Sequence, residues 1–414
     1  MRYAIVGEHL PHSHSPKIHK LLGNPDYTLR ELEKDALIPF MLARDFDGVN
    51  VTIPYKQDVM PLCDFLDGEA LRIGAVNTVA NYKGRLFGFN TDFDGFLFLC
   101  RRAGISLDKK HVVILGGGGT SKTARAAADA CGARQITVVS RKGDVNYENL
   151  QNTCANAEIL INTTPVGMFP NITACPLDLS KLPALSGVID VIYNPLRTRL
   201  VLEAQKRGIP CAGGLAMLVA QAAYADGYFR GQKHSETKIN AVLATMLQSL
   251  SNLVLIGMPG CGKSTVGKIL AEKTGRPLYD LDLILAKRAD MPAGEVIRTR
   301  GERYFRDLET EICLEISAKG GCIIACGGGT VLRAENRISL QQNGCIVYLR
   351  RALGNLATNG RPLSSSAETL ARMYAERAPI YETLADIIIP ECDSANKSAA
   401  KTLTAFMERD WNKI

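Results

Sequence analysis

The chain has 414 residues, of which 46% are hydrophobic and 22% charged, and its net charge is +7 at pH 7. This length exceeds what a single hydrophobic core usually organises, so two or three packing units are expected, and the composition excludes a disordered or fibrous chain. The basic residues are dispersed, with no run of five or six like charges. That pattern argues against a nucleic-acid partner and is compatible with anionic small-molecule substrates.

Cysteine usage and apolar segments bear on location. The twelve cysteines are irregularly spaced and form no C-x-x-C pair, which favours reduced thiols in a cytoplasm. The sequence begins directly with a strand-like segment rather than the charged and apolar regions of a signal peptide. The uncharged stretch from Ala212 to Ala225 is interrupted by glycine and glutamine and is too short to span a bilayer, so no membrane partner is expected.

Short β-rich segments alternate with helical segments along the chain, a pattern typical of α/β units with parallel sheets. The predicted strands lie at 3–6, 112–115, 136–139, 159–162, 188–192, 253–256, 323–325 and 346–349. Two of these strands run into glycine-rich turns that begin helices, at Gly116 and Gly257. Two such phosphate-binding turns predict two nucleotide-binding domains. Their junction is placed at Ser251 and Asn252, where a helix ends before a new apolar strand.

Polar side chains gather in the first hundred residues, after strand-like or turn-like segments. They are Ser13 and Ser15 in His-Ser-His-Ser-Pro, Thr52 and Lys56 in Asn-Val-Thr-Ile-Pro-Tyr-Lys, Asn77 in Ala-Val-Asn-Thr, and Asp92 in Asn-Thr-Asp. Because they do not share one helix face, they are predicted to converge on a small polyhydroxylated ligand. For any single residue, a structural hydrogen bond in a buried network is the alternative. His12, His14 and His19 lack an obvious fourth ligand, which disfavours a metal site.

The first glycine turn is typical of dinucleotide binding. Residues 111–121 read as a strand, four glycines and the start of a helix, and glycine lets backbone N–H groups approach a pyrophosphate. Ser121 stands where the usual pattern has its third glycine, so neighbouring residues must support the interpretation. The next strand ends in Ser140, Arg141 and Lys142. Basic side chains there favour the 2′-phosphate of NADP, and a solvated turn is the alternative.

The second glycine turn is a complete G-x-x-x-x-G-K-S motif at residues 257–264, between a strand and a helix. In such a turn backbone N–H groups cradle phosphates, Lys263 reaches the β- and γ-oxygens of ATP, and Ser264 ligates Mg²⁺. The motif alone does not distinguish a kinase from a GTPase or a motor ATPase.

The order of motifs over residues 1 to 248 resembles that of shikimate dehydrogenases. Further matching segments lie at 161–168, 190–195 and 214–221. The resemblance implies an α/β substrate domain over residues 1–100 and a Rossmann-like NADP domain over residues 101–225. It also implies that a C-terminal helix at about 226–248 returns to the first domain.

The same resemblance implies a catalytic pair, Lys56 and Asp92. It implies that the substrate is bound by Ser13, Ser15, Thr52, Asn77, Tyr193 and Gln221. It implies that NADP is bound by Gly116, Gly117, Gly118, Gly119, Thr120, Ser140, Arg141, Lys142, Val191 and Gly214. Hydride delivery to a ketone needs a positioned proton donor, which Lys56 can be if Asp92 orients it. An inert ion pair is the alternative.

Residues 251 to 414 resemble shikimate kinases in the order of their motifs. After the glycine turn these are Asp280-Leu-Asp282, Phe305-Arg306-Asp-Leu-Glu309, Cys326-Gly-Gly-Gly329, Arg361-Pro-Leu363 and Arg377-Ala-Pro-Ile-Tyr381. The implied ATP-binding residues are Gly260, Cys261, Gly262, Lys263, Ser264, Thr265 and Arg361. The implied substrate-binding residues are Asp282, Arg306, Gly327, Gly328, Gly329 and Arg377.

Within this kinase pattern, Lys263, Asp282 and Arg361 are the implied catalytic residues. Ser264 and Asp280 are the implied Mg²⁺ partners, with Asp280 acting through water. Arg361 would belong to a mobile lid. The stretch 354–360 lacks the further cation often present in the family, although Arg350 and Arg351 lie just upstream. Cys322 and Cys326 flank a predicted buried strand and are expected to be structural thiols.

The sequence therefore predicts an α/β protein: a two-domain dehydrogenase fused to a P-loop kinase with a parallel sheet. The expected function is NADPH-dependent reduction of 3-dehydroshikimate to shikimate, followed by MgATP-dependent phosphorylation of shikimate. A homo-oligomer is compatible with the sequence. One alternative is a quinate/shikimate-type dehydrogenase with relaxed cofactor use fused to the kinase. Another is that one half only senses a ligand.

Overall fold

The computed structural model describes residues 2–10, 13–356 and 367–411, with backbone only at residue 367. Packing divides the chain into two compact units. The first comprises Met1–Gly167, Cys175–Tyr193 and Glu203–Met246, and the second comprises Met168–Ala174, Asn194–Leu202 and Leu247–Ile414. The second unit is therefore discontinuous in sequence.

The first unit begins with a six-stranded mixed sheet in the order β2-β1-β3-β5-β6-β4. Its strands are β1 (Tyr3–Gly7), β2 (Tyr27–Glu31), β3 (Gly48–Val51), β4 (Phe65–Leu66), β5 (Thr78–Tyr82) and β6 (Arg85–Phe89). Its helices are α1 (Ser15–Leu22), α2 (Lys34–Ala43), α3 (Gly68–Ile73) and α4 (Thr91–Arg102). β1 is parallel to both neighbours, whereas β5 is antiparallel to β3 and β6.

A second sheet of the first unit is wholly parallel, in the order β11-β10-β9-β7-β8. Its strands are β7 (His111–Leu115), β8 (Gln135–Val139), β9 (Ile159–Asn162), β10 (Gly187–Asp190) and β11 (Cys211–Ala212). The following helices accompany it in the chain: α5 (Gly119–Ala130), α6 (Leu150–Cys154), α7 (Arg199–Lys206), α8 (Leu215–Arg230) and α9 (Glu236–Leu250). Strands β7, β9 and β10 are buried along their whole length, as parallel strands covered on both faces require.

Helix α8 returns from the second sheet to the first, where it packs against α1, α4 and β5. Its crossing with α4 is close because a Cβ on Gly95 would lie 2.8 Å from the carbonyl oxygen of Met217. The segment 226–248 is not one helix. It contains the end of α8, a left-handed Gly231 (φ 65°) and most of α9.

The second unit contains a five-stranded parallel sheet in the order β13-β14-β12-β15-β16. Its strands are β12 (Asn252–Ile256), β13 (Leu278–Asp280), β14 (Ile323–Ala325), β15 (Gly344–Leu349) and β16 (Ile387–Ile389). Its helices are α10 (Lys263–Thr274), α11 (Leu281–Ala289), α12 (Ala293–Ser317), α13 (Ala334–Asn343), α14 (Ala367–Leu384) and α15 (Ala395–Met407). Helix α12 is interrupted at Gly301, whose φ of 85° is not helical.

Two earlier segments of the chain, 168–174 and 194–202, pack within this second unit. The side chain of Gln342, at the end of α13, donates to the carbonyl oxygen of Ile172 at 2.8 Å. The guanidinium of Arg197 donates to the carbonyl oxygen of Gly344 at 2.7 Å. The backbone N–H of Leu196 donates to the side-chain oxygen of Asn343 at 2.9 Å. These hydrogen bonds satisfy polar groups where β15 begins.

The predicted α/β fold with parallel sheets is confirmed, and each predicted strand is present to within two residues at either end. The antiparallel part of the first sheet was not predicted. No helix in the described ranges is long and apolar enough to cross a membrane.

A buried carboxylate joins α8 to α1. Asp226 is fully buried and accepts hydrogen bonds from Asn24 (3.0 Å), Arg230 (2.9 Å) and His234 (2.7 Å), and its Oδ1 lies 3.5 Å from Nδ1 of the buried His19. Burial acts to raise the pKa of Asp226. Three hydrogen bonds and the nearby His19 ring outweigh burial, so the pKa of this carboxyl lies below its ordinary value.

Replacing this carboxylate tests its contribution to stability. We expect Asp226→Asn to lower the free energy of unfolding of the first unit by about 3–5 kcal/mol at pH 7, since buried donors lose an ionised partner. A depressed folded-state pKa contributes stability above the unfolded-state pKa of about 3.9 and loses it as pH falls below that value. The difference in the free energy of unfolding between wild type and variant should therefore become smaller from pH 5 to pH 3.5, as measured by denaturant titrations followed by circular dichroism.

The matched control is Asp129→Asn, because the Asp129 side chain is 76% exposed. This variant should change the free energy of unfolding by no more than about 0.5 kcal/mol at any of these pH values. If the loss of unfolding free energy in Asp226→Asn stayed constant down to pH 3.5, the result would contradict a lowered pKa of Asp226 in the folded protein.

Candidate active sites

The first unit contains a cavity of about 590 Å³. The segments that line it follow β3, β7 and β10 or begin α4, α5 and α8. The predicted residues among its lining are Thr52, Lys56, Asp92, Gly117, Gly118, Gly119, Thr120, Val191, Tyr193, Gly214 and Gln221. The structure thus brings a predicted ion pair, polar residues and the first glycine turn to one cavity.

Lys56 and Asp92 form the ion pair of this cavity. Nζ of Lys56 donates to Oδ2 of Asp92 at 2.5 Å, and their side chains are 26% and 12% exposed. Asp92 lies in the first turn of α4, where the helix dipole favours a carboxylate. The Lys56 ammonium is accordingly held by a fixed partner at the edge of the cavity, within reach of a ligand.

A chain of amide hydrogen bonds fixes the orientation of Gln221. The backbone N–H of Thr91 donates to Oδ1 of Asn77 at 2.8 Å, so the Asn77 amide nitrogen must lie on the opposite side. That nitrogen donates to Oε1 of Gln221 at 3.2 Å. Because the Gln221 oxygen accepts from Asn77, the Gln221 nitrogen Nε2 is the atom available to a ligand, and this nitrogen can only donate a hydrogen bond.

Three predicted substrate residues do not line the cavity. Asn77 is buried behind Gln221. Ser13 accepts from the backbone N–H of Ser15 at 3.3 Å, and Ser15 is the first residue of α1. The intervening His14 ring lies 5.9 Å from the Tyr193 ring in an edge arrangement, which brings this loop close to the cavity lining. Burial raises the pKa of Tyr193, so its hydroxyl keeps its proton.

The glycine turn after β7 has the geometry of a phosphate cradle. Gly116 has φ of 111°, and a Cβ there would lie 2.7 Å from Oγ1 of Thr163, so only glycine fits. Helix α5 begins at Gly119 and directs its N-terminal N–H groups toward the turn. A Cβ on Gly214 would collide with the carbonyl oxygen of Val191, which explains the close approach of these two lining segments.

The predicted NADP residues Gly116, Ser140, Arg141 and Lys142 are not part of the lining. Ser140 lies beside the glycine turn, since its Cβ is 3.7 Å from the position of a Cβ on Gly117. Arg141 and Lys142 are exposed. Arg141 and Lys142 follow the carboxyl end of β8, which is next to β7 in the sheet. A ligand whose phosphates bind at the turn after β7 would extend toward this position.

The second unit contains a cavity of about 490 Å³ at the carboxyl ends of its parallel strands. The predicted residues in its lining are Gly260, Gly262, Lys263, Ser264, Thr265, Asp282, Arg306, Gly327, Gly328, Gly329 and Arg377. Gly257, Gly260 and Gly262 have φ values of 142°, 86° and 97°, which side chains rarely permit. Nζ of the buried Lys263 donates to the carbonyl oxygens of Gly257 (2.9 Å) and Met258 (3.0 Å).

Three consecutive glycines after β14 each make room for a different group. A Cβ on Gly327 would lie 2.7 Å from Oδ1 of Asp282. A Cβ on Gly328 would lie 2.5 Å from Cγ of Pro259. A Cβ on Gly329 would collide with the Arg306 guanidinium. This turn therefore brings an acidic group, the phosphate loop and a guanidinium to one wall of the cavity.

Two arginines give this cavity its positive charge. Nη1 of Arg306 donates to Oε2 of Glu309 at 2.7 Å, and Oε1 of Glu309 accepts from Thr330 at 2.7 Å. Arg377 is 7% exposed, and among the described residues nothing accepts a hydrogen bond from its Nε. A buried guanidinium with an unmet donor suits a carboxylate ligand, which can accept two parallel hydrogen bonds.

Two predicted kinase residues that the structure describes lie outside this lining. Asp280 is buried and its Oδ1 caps α11 by accepting from the N–H groups of Asp282 (3.1 Å) and Leu283 (3.3 Å). Cys261 is buried within the glycine turn, with its Sγ 3.8 Å from Nζ of Lys263. Arg361 lies outside the described residues.

Glu309 belongs to this site, although no role was predicted for it from the sequence. Its carboxylate is buried and fixes Arg306 from one turn along α12. The available signal was the spacing of three residues between an arginine and a glutamate on a helix. Among the described residues, no group of three or more His, Cys, Asp or Glu side chains could hold a metal ion.

Comparison with known proteins relates each unit to a family. Shikimate dehydrogenase (NADP(+)) of Clostridium beijerinckii is 37% identical over 244 residues, covering 54% of this chain and 90% of that protein. The chain belongs to the shikimate dehydrogenase family. The model of the shikimate dehydrogenase substrate binding domain matches residues 5–79. The model named shikimate kinase matches residues 259–408. The chain is thus a fusion of a shikimate dehydrogenase with a shikimate kinase domain, a bifunctional enzyme of the shikimate pathway.

Solved structures agree with this assignment for the dehydrogenase part. A chorismate mutase/shikimate 5-dehydrogenase fusion protein from Clostridium acetobutylicum is 30% identical, with a TM-score of 0.56, covering 59% of this chain and 96% of that one. Shikimate 5-dehydrogenase from Thermus thermophilus, in complex with NADP(H) and shikimate, is 31% identical with a TM-score of 0.54. It covers 59% of this chain and 99% of that chain.

A methyl group at Gly329 tests the placement of Arg306. Gly329 has φ of −104°, so alanine adds no backbone strain, and its Cβ would push the guanidinium away from Glu309. We expect Gly329→Ala to raise the kinase KM for shikimate about tenfold, the effect of losing roughly 1.4 kcal/mol of binding. The control is Gly354→Ala, whose Cβ would meet nothing within 4 Å. An unchanged KM in Gly329→Ala would contradict a role for this guanidinium in binding.

Proposed function

We propose that the first cavity reduces 3-dehydroshikimate to shikimate, with Lys56 as the proton donor. The observation that carries this is the Lys56–Asp92 pair in one cavity with a glycine turn that fits a dinucleotide pyrophosphate. NADPH, when bound at the turn, supplies the hydride that adds to the C3 carbonyl carbon. The oxygen of that carbonyl gains negative charge, and the Lys56 ammonium donates a proton to it. Asp92 holds the Lys56 side chain in its orientation before the transfer.

Substrate orientation follows from the polar groups around the pair. Gln221 presents an amide N–H, which suits a hydroxyl oxygen of a polyol. Tyr193 and Thr52 line the same cavity, and we assign them to the substrate ring and its hydroxyls. The loop of Ser13 and Ser15 is assigned to the substrate carboxylate. We assign the region of Ser140, Arg141 and Lys142 to the 2′-phosphate of NADP.

In the second cavity we propose that shikimate receives the γ-phosphoryl group of ATP on its 3-hydroxyl. Asp282 accepts the hydroxyl proton, and Arg306 and Arg377 pair with the substrate carboxylate. The glycine turn and Lys263 hold the triphosphate, and Ser264 offers its hydroxyl to Mg²⁺. We assign Asp280 to Mg²⁺ through water and Arg361 to charge neutralisation at the transferred group. Ser264 and Asp280 would hold Mg²⁺, which would supply positive charge against the negative charge that develops during transfer.

The setting of the protein follows from the same proposal. Its substrates are small acids, with no nucleic acid or membrane as partner. All twelve cysteines are free, which is typical of a reducing cytoplasm, where we place the protein. A homo-oligomer is compatible with this function.

A pair of variants in the full chain tests both activities, since each serves as the control for the other. Lys56→Met removes the proton donor, and we expect dehydrogenase turnover to fall about a hundredfold or more while kinase turnover stays within twofold. Asp282→Asn should produce the opposite result. Products are identified after incubating each protein with 3-dehydroshikimate, NADPH and MgATP, omitting one component at a time.

Two outcomes would overturn the proposal. Wild-type protein that forms no shikimate 3-phosphate from the complete mixture would show that one half has lost turnover. A Lys56→Met variant with full dehydrogenase turnover would reduce the Lys56–Asp92 pair to a structural contact.

Cofactor preference is tested at the exposed arginine after β8. We expect Arg141→Ala to raise the KM for NADPH by roughly tenfold and to leave the KM for NADH unchanged, because only NADPH carries a phosphate for the guanidinium. Arg134→Ala, at an arginine already paired with Glu158 on the same unit, is the control. Equal use of NADH and NADPH by the wild type, together with oxidation of quinate, would instead indicate a quinate/shikimate-type enzyme.

A further inference from the structure

Two arginines, Arg350 and Arg351, follow β15 beside the phosphate loop of the kinase domain. Strand β15 is parallel to β12, with Tyr348 opposite Ile256, so both strands end at the same edge of the sheet. The phosphate loop leaves β12 there and the two arginines leave β15. The approach is close, because a Cβ on Gly257 would lie 2.8 Å from the carbonyl oxygen of Leu349.

The two guanidinium groups point to different surroundings. Arg350 donates to Oε1 of Glu382 at 2.6 Å, and its guanidinium carbon lies 5.9 Å from the centre of the Tyr348 ring. Nη1 of Arg351 instead lies 3.9 Å from the position of a Cβ on Gly262. Arg351 is therefore beside the glycine that precedes the first turn of α10.

Arg351 is held in place, but not by a well-formed hydrogen bond. Its Nε is buried and lies 3.5 Å from Oε1 of Glu391, which is longer than an ordinary N–H···O bond. Glu391 already accepts from the backbone N–H of Ala352 (3.1 Å) and from the side chain of Asn355 (2.8 Å). Glu391 thus orients the arginine electrostatically while its own hydrogen bonds go to other donors.

This position suits an anion. The N–H groups that begin α10 and the positive end of its dipole meet at Gly262, and an adjacent guanidinium adds a full charge and a planar pair of donors. Arg350 and Arg351 also immediately precede the arginine-free stretch 354–360. No other basic residue stands between Arg351 and Arg361 in the sequence.

We propose that Arg351 binds the phosphate chain of the kinase nucleotide from the β15 side of the phosphate loop. This inference deepens the proposed kinase function and rests on it. The group recognised is a di- or triphosphate bound at Gly262, and Arg351 contributes to nucleotide affinity rather than to acceptor binding. A purely structural ion pair with Glu391 is the competing explanation.

The test compares neighbouring arginines in the full chain. We measure the dissociation constant of ADP by calorimetry with the NADP site saturated by NADP⁺, the kinase KM values for ATP and shikimate, and dehydrogenase turnover as an internal control. Arg351→Ala is expected to weaken ADP binding and raise the KM for ATP about tenfold or more, the loss of one charge-assisted hydrogen bond. The KM for shikimate should stay within twofold. Arg351→Lys should recover part of the affinity, and Arg350→Ala is the matched control.

The outcomes separate the explanations. Unchanged ADP affinity in Arg351→Ala, or a parallel rise in the KM for shikimate, would overturn the inference. The inference would also be overturned if Glu391→Gln and Arg351→Ala both lowered the thermal stability and both left ADP binding unchanged, since that result indicates a structural ion pair. A wild-type chain that binds no ADP and does not phosphorylate shikimate would refute the proposed kinase function itself, and the assignment of Arg351 with it.

Discussion

Both cavities depend on places where the backbone lies so close to another group of the protein that a Cβ cannot fit. In the first unit, Gly95 allows α4 to cross α8, and Gly214 lies directly against the carbonyl of Val191. In the second unit, the glycines after β14 leave space for Asp282, Pro259 and the Arg306 guanidinium. Chemical groups from distant parts of the sequence meet because these positions have no side chain. The constraint is steric, so a single methyl group is enough to test it.

The charges around the cavities follow a second constraint, since burying an ionised group requires compensating partners. Lys56 is held by Asp92, and Arg306 by Glu309. Asp226 follows the same constraint away from either cavity, because three hydrogen-bond donors and the nearby His19 ring lower its pKa despite burial. Arg377 and Arg351 differ from these groups, because in the described part of the chain the buried Nε of each lacks a well-formed hydrogen bond. A hydrogen-bond donor of this kind is available to an anionic ligand.

Local patterns in the sequence were sufficient for the eight predicted strands, the two glycine turns and the family of each half, whereas strands such as β2, β3 and β16 were not predicted. A buried parallel strand is a continuous apolar run, and a phosphate loop has an almost invariant spacing, so both are readable from a single sequence. The antiparallel strands β5 and β6 were missed because they mix polar with apolar residues. Glu309 was missed because its importance arises from burial beside Arg306, which only tertiary packing creates. The packing of segments 168–174 and 194–202 within the second unit has no local sequence signal, since it depends on contacts more than 140 residues apart.

The discontinuity of the second unit limits how the two enzymes can be separated. A kinase that started at residue 251 would lack segments 168–174 and 194–202. The Gln342 side chain would lose its acceptor, and the Asn343 side chain and the Gly344 carbonyl would lose their donors. Those polar groups would then need water or new partners, which would lower the stability of the sheet where β15 begins. A gene truncated at the apparent boundary between its halves would therefore encode a kinase that lacks part of its compact unit, whereas the first unit lies wholly before that boundary. Loss of dehydrogenase activity by mutation would thus leave residues 168–174 and 194–202 still needed as scaffold for the kinase sheet.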